Sequence, residues 1–283
     1  MAEIPALLVK QLRDRTNAPF GDCKAALVEA DADIEKAIEV LRKKNAAIQA
    51  KTSGRETAEG RVGLFIAADG SHGALIELRC ESAPVAKNEH FVTLANDLCA
   101  HITKTGQPAT AAELLAQPHH TDSGRTVNEK IGEVVGLLRE NIKPHRMNRL
   151  EGKAVGGYVH HDGSVGVLVV AEGEGAPDAS LLRDIAMHIT AKIPAAVSRD
   201  QIPAELIEKE REIAKSQAEA TSAGKPANIV EKIAENRVNT WLKESCLEEQ
   251  TFIKDESKTV GQLLKAAGLK AKAFIRFKVG ESA

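Results

Sequence analysis

The sequence predicts an α+β protein whose central core is built twice, and three observations carry that expectation. First, Asp69-Gly70-Ser71-His72-Gly73 joins two alternating apolar runs, Arg61–Ala67 and Ala74–Arg79. Asp162-Gly163-Ser164-Val165-Gly166 joins Ala154–His160 and Val167–Ala171 in the same register, so Val62-Gly63 matches Val155-Gly156 and Phe65 matches Tyr158. Asp-Gly between alternating runs is a strong hairpin signal. Second, each hairpin leads into a helix with a matching hexad: Asp97-Leu98-Cys99-Ala100-His101-Ile102 and Asp184-Ile185-Ala186-Met187-His188-Ile189. Third, the rest is helical, in a short module before the core and a charged insertion within the second copy. A unit built twice presents two related surfaces, which suits gripping a large partner better than closing over a small substrate.

Residues 1–46 read as a three-helix module. The first helix covers Pro5–Arg15 with Leu7, Leu8, Val9 and Leu12 on its apolar side. The second covers about Asp22–Glu29. The third starts at an N-cap, Asp33, and buries Ile34, Ala37, Ile38 and Leu41 at helical spacing. Arg42, Lys43 and Lys44 suit the negative end of its dipole. The connection Thr16–Gly21 holds Phe20, either a partner contact or part of the module's own core. Residues 47–59 are Ala, Lys, Thr, Ser, Gly and Glu with little apolar pattern, and read as a linker or loosely docked helix end.

The first core repeat, 60–150, continues after its hairpin with a helix at about Glu89–Thr103, a polar stretch with Pro108, Pro118, His119 and His120, a helix at about Thr126–Glu140 and a strand at Arg146–Leu150. The second, 151–283, follows the same order: a helix at Ala179–Lys192, a short helix Val260–Ala267 ended by Gly268, and a strand Ala273–Val279. Between them lies an insertion, about 201–251, expected to be an antiparallel helical hairpin. Leu206, Ile213 and Ala220 recur at heptad spacing on its first helix. Ile229, Ile233 and the Val238/Trp241 region mark its second. Ser222-Ala223-Gly224-Lys225-Pro226 supplies a Gly stop and a Pro start.

Composition narrows the function. Lys plus Arg is 38 and Asp plus Glu 40, a net charge of −2, with no basic excess for phosphate neutralisation. Six Phe, one Trp and one Tyr leave little for base stacking. A nucleic-acid partner is therefore not expected. Cys23, Cys80, Cys99 and Cys246 form no C-x-x-C pair and read as buried thiols in a reducing compartment. No signal-like segment opens the chain, and no apolar run approaches the ~20 residues of a membrane span. The expectation is a cytoplasmic protein without a membrane partner.

The motifs of an enzyme are missing. There is no G-x-S-x-G, no phosphate loop and no G-x-G-x-x-G after a strand. The alternating Gly173 and Gly175 sit among Glu172 and Glu174, whose charges repel phosphate. His119-His120 and His160-His161 are adjacent pairs; neighbours on a strand point to opposite faces, so His160 and His161 are not expected to share a metal, and neither a metal site nor a cofactor is expected. His101 and His188, on equivalent helices, read as either structural or functional.

These residues resemble the bacterial translation elongation factor Ts family. The resemblance runs through Leu12-Arg13-Asp14-Arg15-Thr16, Asp22-Cys23-Lys24-Ala25-Ala26-Leu27 and Asp33-Ile34-Glu35-Lys36-Ala37-Ile38. It continues in Ile185-Ala186-Met187-His188-Ile189, Ser257-Lys258-Thr259-Val260-Gly261-Gln262-Leu263-Leu264 and Phe274-Ile275-Arg276-Phe277. The resemblance implies a nucleotide-exchange factor, not an enzyme, that binds elongation factor Tu in its GDP-bound and nucleotide-free forms and promotes loss of Mg²⁺ and GDP. It implies a ubiquitin-associated-like N-terminal module contacting the partner's GTPase domain through Arg13, Phe20, Gly21 and Lys24. It implies that Val165, Gly166 and His188 contact the partner's third domain, and that the insertion is a coiled coil.

One departure stands out. After the strand ending at Cys80 the family usually carries Glu/Gln-Thr-Asp-Phe-Val-Ala, whose Asp and Phe help dislodge Mg²⁺. This chain reads Glu81-Ser82-Ala83-Pro84-Val85-Ala86-Lys87. The frame stands, but Ala83 replaces the Asp and Pro84 the Phe. Pro84 fixes its own φ and biases Ala83 toward an extended shape. The expected Mg²⁺-dislocation loop is thus Ser82, Ala83, Pro84 and Val85. The alternative reading is a non-exchanging, chaperone-like holder of the same GTPase.

Overall fold

The computed structural model describes residues 4–176, 178–221 and 225–281. Three helices open the chain: α1 (Ala6–Thr16), α2 (Phe20–Glu29) and α3 (Ile34–Thr52). They close on Val9, Leu12, Cys23, Leu27, Ala37 and Leu41. Asp33 caps α3, accepting from the N–H groups of Glu35 and Lys36. Leu7, expected on the apolar side, is 67% exposed. The region expected as a linker begins as helix: α3 runs on to Thr52. Its weak apolar pattern suffices because Asn45 and Gln49 cross a later helix at Gly132 and Gly136, where the missing Cβ lets them approach.

The first repeat follows as β1 (Glu59–Ile66), β2 (His72–Cys80), α4 (Ala83–Ala86), α5 (Glu89–Thr105), α6 (Ala111–Ala116), β3 (Pro118–His119), β4 (Asp122–Thr126), α7 (Val127–Leu138) and β5 (Lys143–Glu151). The second is β6 (Ala154–Val159), β7 (Val165–Gly173), α8 (Ala179–Lys192), α9 (Ala204–Thr221), α10 (Ala227–Ser245), β8 (Thr251–Phe252), β9 (Asp255–Thr259), α11 (Val260–Ala266) and β10 (Leu269–Lys278). Each repeat forms a three-stranded antiparallel sheet, ordered β1-β2-β5 and β10-β7-β6, with the second strand of the hairpin in the centre. In both turns an aspartate accepts from a serine two residues on, Asp69 from Ser71 and Asp162 from Ser164, and Gly70 and Gly163 take positive φ.

The sheets stack face to face. Val62, Leu75, Val155, Leu168, Val170 and Phe277 fill the space between them. On the outer faces, α5 and α7 cover the first sheet and α8 and α11 the second. Gly63 and Gly156 let the helices settle: a Cβ there would lie 2.5 Å from the Ala95 carbonyl oxygen and 2.2 Å from the Leu182 Cβ. The two hairpins also hook across the stack. Val62 N–H donates to the Gly163 carbonyl at 2.8 Å, and Val155 N–H to the Gly70 carbonyl at 2.7 Å.

The duplication reaches further than the sequence shows. Thr126 with Glu129 and Thr259 with Gln262 form capping boxes that start α7 and α11. Small hairpins, β3-β4 and β8-β9, precede them. The insertion α9–α10 enters the second repeat where α6 stands in the first. Arg237 on α10 donates to Gln217 and Thr221 on α9, and Ala214 and Ala218 meet Ala234 and Val238. The buried stripe on α9 runs through Ile207, Ala214 and Ala218, one residue on from the expected Leu206 and Ile213, which are exposed. Small alanines make the seam, because they let the two backbones approach. Residues 222–224 of the expected Gly-stop turn lie outside the described residues, as do Met1–Glu3; Pro226 is the N-cap of α10.

Candidate functional site

The expected site residues fall in three separate parts of the molecule. On the N-terminal module, Arg13, Phe20, Gly21 and Lys24 are all exposed. Phe20 begins α2 behind Pro19 and is 54% exposed, so it does not join the module's core. Lys24 and Val28 follow it at helical spacing, making an apolar edge with a cationic rim. Asp22, on the same helix, turns the other way. Its carboxylate takes Lys44 Nζ at 2.7 Å and Arg139 at 2.5 Å, fastening the module to the first repeat.

The second part is the turn after β2. Ala83 and Pro84 are exposed; Ser82 and Val85 are half-buried. The expectation that Ala83 is extended is corrected here: Ala83 opens the one-turn helix α4, and Ser82 is the extended residue, at φ −131° and ψ 150°. Proline fits the first turn of a helix because its missing N–H has no partner there anyway. Ala86 N–H closes the turn onto the Ser82 carbonyl at 3.1 Å. Its anchor is Glu140, two residues past the end of α7. One Glu140 oxygen accepts from Glu81 N–H at 3.1 Å and Ser82 N–H at 3.0 Å; the other accepts from Ser82 Oγ at 2.5 Å. Glu81 in turn accepts from Asn141 N–H at 2.6 Å and Arg55 at 3.3 Å. None of these anchors is visible in sequence, since Glu140 stands 58 residues from Ser82.

The third part is an open groove of about 570 Å³ on the second repeat, lined by Tyr158, Val165, Met187, Ile193, Ile253 and Lys254 among others. Ile193 and Ile253 are exposed apolar side chains at its edge. Of the three residues expected here, only Val165 lines it. Gly166 is buried between the sheets, where a Cβ would lie 2.4 Å from Val62 Cγ1; its absent side chain serves sheet stacking. His188 is 0% exposed. Its Nε2 pairs with Gln250 Oε1 at 2.8 Å, and its Nδ1 accepts from Ile253 N–H at 3.2 Å. Burial pushes its pKa below the ordinary histidine value, with Gln250 opposing. A neutral imidazole with the proton on Nε2 satisfies both bonds. His188 therefore holds the lip of the groove rather than meeting solvent.

His101 makes the same bracket in the first repeat: Gln117 Oε1 at 2.7 Å and His120 N–H at 3.2 Å. The expectation that His160 and His161 point to opposite faces is corrected here. The His119 and His120 rings lie 4.6 Å apart, and His160 and His161 4.3 Å, because each pair sits where a strand gives way to a turn and the alternation fails. His101, His119 and His120 form a cluster with metal-binding spacing. The four cysteines are buried and free; burial pushes the Cys80 thiol up to about 12. No described helix is long and apolar enough to cross a membrane.

A duplicated α+β scaffold presenting an apolar helix edge, an anchored turn and a groove belongs, on comparison with known proteins, to the class of translation elongation factors. Residues 81–281 match the family described as elongation factor TS. The chain is 42% identical over 280 residues to elongation factor Ts of Thioalkalivibrio sulfidiphilus, covering 98% of this chain and 92% of the relative. It is 44% identical over 282 residues to that of an Azoarcus species (99% and 92%), and 39% identical over 275 to that of Halothermothrix orenii (96% and 91%). The chain belongs to the elongation factor Ts family, with a role in translation elongation.

Proposed function

We propose that this protein binds elongation factor Tu and accelerates its release of GDP. The observation that carries the reading is the turn Ser82–Val85, exposed at Ala83-Pro84 and pinned from behind by Glu140. An element that disturbs a partner's Mg²⁺ site must hold its shape on contact, and a carboxylate accepting three hydrogen bonds supplies that stiffness. In this reading the N-terminal helices are a ubiquitin-associated-like module that meets the GTPase domain through Arg13, Phe20, Gly21 and Lys24. Residues 60–150 bring the turn to the nucleotide site. Residues 151–283 meet the third domain through Val165 and the groove lip that His188 holds, and the α9–α10 insertion is a short coiled coil. The work is done in the cytoplasm, without a cofactor and without bond chemistry by this chain.

Exchange follows from linkage. A protein that binds nucleotide-free Tu more tightly than Tu·GDP weakens GDP by the same factor. A 10³-fold faster release needs about 4 kcal/mol of transition-state stabilisation, which three contact regions can share. Stopped-flow release of fluorescent GDP from the cognate Tu tests the reading. Acceleration that saturates with protein is expected, and no acceleration at saturation refutes it. Ala83 and Pro84, in place of an acidic residue and a large aromatic, favour the second reading, a holder that binds without releasing GDP. Tight binding with unchanged release would establish it.

A further inference from the structure

Asp97 and Asp184 hold the same place in the two matched hexads, yet the repeats neutralise them differently. In the second repeat Lys254 Nζ lies 2.6 Å from Asp184 Oδ1, and Phe252 packs on His188 with ring centroids 5.8 Å apart. The His–Gln–backbone brackets align the two copies residue by residue: Gln117 with Gln250, His119 with Phe252, His120 with Ile253 and Thr121 with Lys254. The first repeat thus has a threonine where the second has its ammonium, and imidazoles where the second has apolar side chains. His119 Nε2 lies 2.8 Å from Asp97 Oδ2, and His120 Nε2 3.9 Å from Asp97 Oδ1.

Two imidazole nitrogens of the cluster are not spent on structure. His119 is 2% exposed, and its Nε2 and the Nδ1 of His120 have no hydrogen-bond partner among the described residues. The short contact of His119 with Asp97 is therefore out of line for a hydrogen bond. One nitrogen of each of His101, His119 and His120 lies within 4.8 Å of the others. That spacing belongs to the three imidazoles; both nitrogens of His101 are engaged, and Asp97 adds a carboxylate oxygen 2.8 Å from His119 Nε2 and another 3.9 Å from His120 Nε2. Thr121 Oγ1, 3.0 Å from His119 Nδ1, can accept as well as donate. Thr121 N–H also donates to Nδ1 at 3.4 Å; an ion on Nε2 requires that long bond to be given up and the ring proton to sit on Nδ1, with Thr121 Oγ1 as its acceptor, the outer partner that metal-bound histidines usually have.

We propose that Asp97, His119 and His120 bind one divalent transition-metal ion of the zinc class, at the place the Lys254 ammonium takes in the second repeat, with His101 positioning His120 through its backbone N–H. Two imidazole nitrogens and a carboxylate oxygen suit Zn²⁺, Co²⁺ or Ni²⁺; Mg²⁺ and Ca²⁺ prefer all-oxygen sites. Three protein ligands leave a position for water. The half-exposed side of Asp97 gives the ion its approach. Binding ties α5 to the β3–β4 turn, as the Lys254–Asp184 pair ties α8 to the β8–β9 turn.

The test is titration of chelator-treated full-length protein with Zn²⁺ by calorimetry and with Co²⁺ by visible absorption. One ion per chain is expected, with a dissociation constant on the order of micromolar, a raised Tm and no response to Mg²⁺ at the same concentration. His119→Ala and Asp97→Asn should each weaken binding at least tenfold. Thr121→Lys should abolish it while retaining the metal-free fold by circular dichroism, because it supplies the second repeat's ammonium. The surface double variant His160→Ala/His161→Ala should bind as the parent does. No saturable binding, or binding that survives Thr121→Lys and Asp97→Asn but is lost with His160 and His161, overturns the proposal.

Discussion

Glu140→Ala should slow GDP release without unfolding the protein. The Glu140 carboxylate holds the turn through two backbone N–H groups and one hydroxyl, at 3.1, 3.0 and 2.5 Å. Hydrogen bonds to a charged group contribute about 1.5–3 kcal/mol each when buried. Glu140 is half-exposed and water replaces part of the loss, so about 2 kcal/mol is the reasonable sum for all three. If the partner must meet an ordered turn, that free energy reappears in the barrier, and about 2 kcal/mol is roughly a 30-fold change in rate. The expected fall in the second-order rate constant for GDP release is about 10- to 30-fold. Glu140→Gln keeps an acceptor but loses the charge and should fall in between. Ser82→Ala removes one bond and should cost about 3-fold, and the double variant should lose less than the sum, since both act on one turn. Urea unfolding beside stopped-flow release is the assay. A Glu140→Ala protein that is measurably less stable yet exchanges within 2-fold of the parent would refute the reasoning.

Restoring the family's side chains with Ala83→Asp/Pro84→Phe should raise the release rate about 10-fold, since half-burying a Phe ring on the partner contributes ~1.4 kcal/mol; an unchanged or lower rate would count against a wedge role for the turn. Gly156→Ala should destabilise the fold by about 3 kcal/mol in urea, because its Cβ would meet Leu182 Cβ at 2.2 Å and backbone at 3.1 Å. Gly54→Ala, with open space around it, should be neutral or slightly stabilising, and equal effects at the two sites would contradict the packing argument. His188 makes stability depend on pH. Its folded pKa is depressed, so below the unfolded value of ~6.5 the unfolded chain binds the extra proton and stability falls, by at most about 1.4 kcal/mol per pH unit. The urea midpoint should drop between pH 7 and 5.5, and His188→Asn should flatten that drop; an identical slope in the variant would remove His188 as its source.

Both main hairpins and the matched helices were legible because Asp-Gly turns and alternating apolar residues are local signals. The small hairpins β3-β4 and β8-β9 were not, since strands of two and five residues carry too few side chains to show a period. The full length of α3 was hidden for another reason: its last turns are held by Gly132 and Gly136 of a helix far along the chain. The position of Phe20 alone does not decide its exposure; Pro19 does, by starting the helix two residues earlier than the pattern implies. At the turn after Cys80 the residues were identified but not their shape, because the shape depends on Glu140. The buried state of His188 and Gly166 was invisible for the same reason. Each looks available on its own element and is covered by another.

The crossed hooks of the two hairpins have a further meaning. Val62 reaches Gly163 and Val155 reaches Gly70, so each half gives the other what it receives. That reciprocity defines an isologous contact, the kind two identical subunits make about a two-fold axis. The chain thus encloses a homodimer interface within one polypeptide, and the tether between β5 and β6, Gly152-Lys153, holds the halves at a high effective concentration. Identical subunits must change both copies of every residue together. Fused halves need not: the stacked inner faces stay complementary while one outer edge keeps three histidines and the other acquires a lysine and a helical arm.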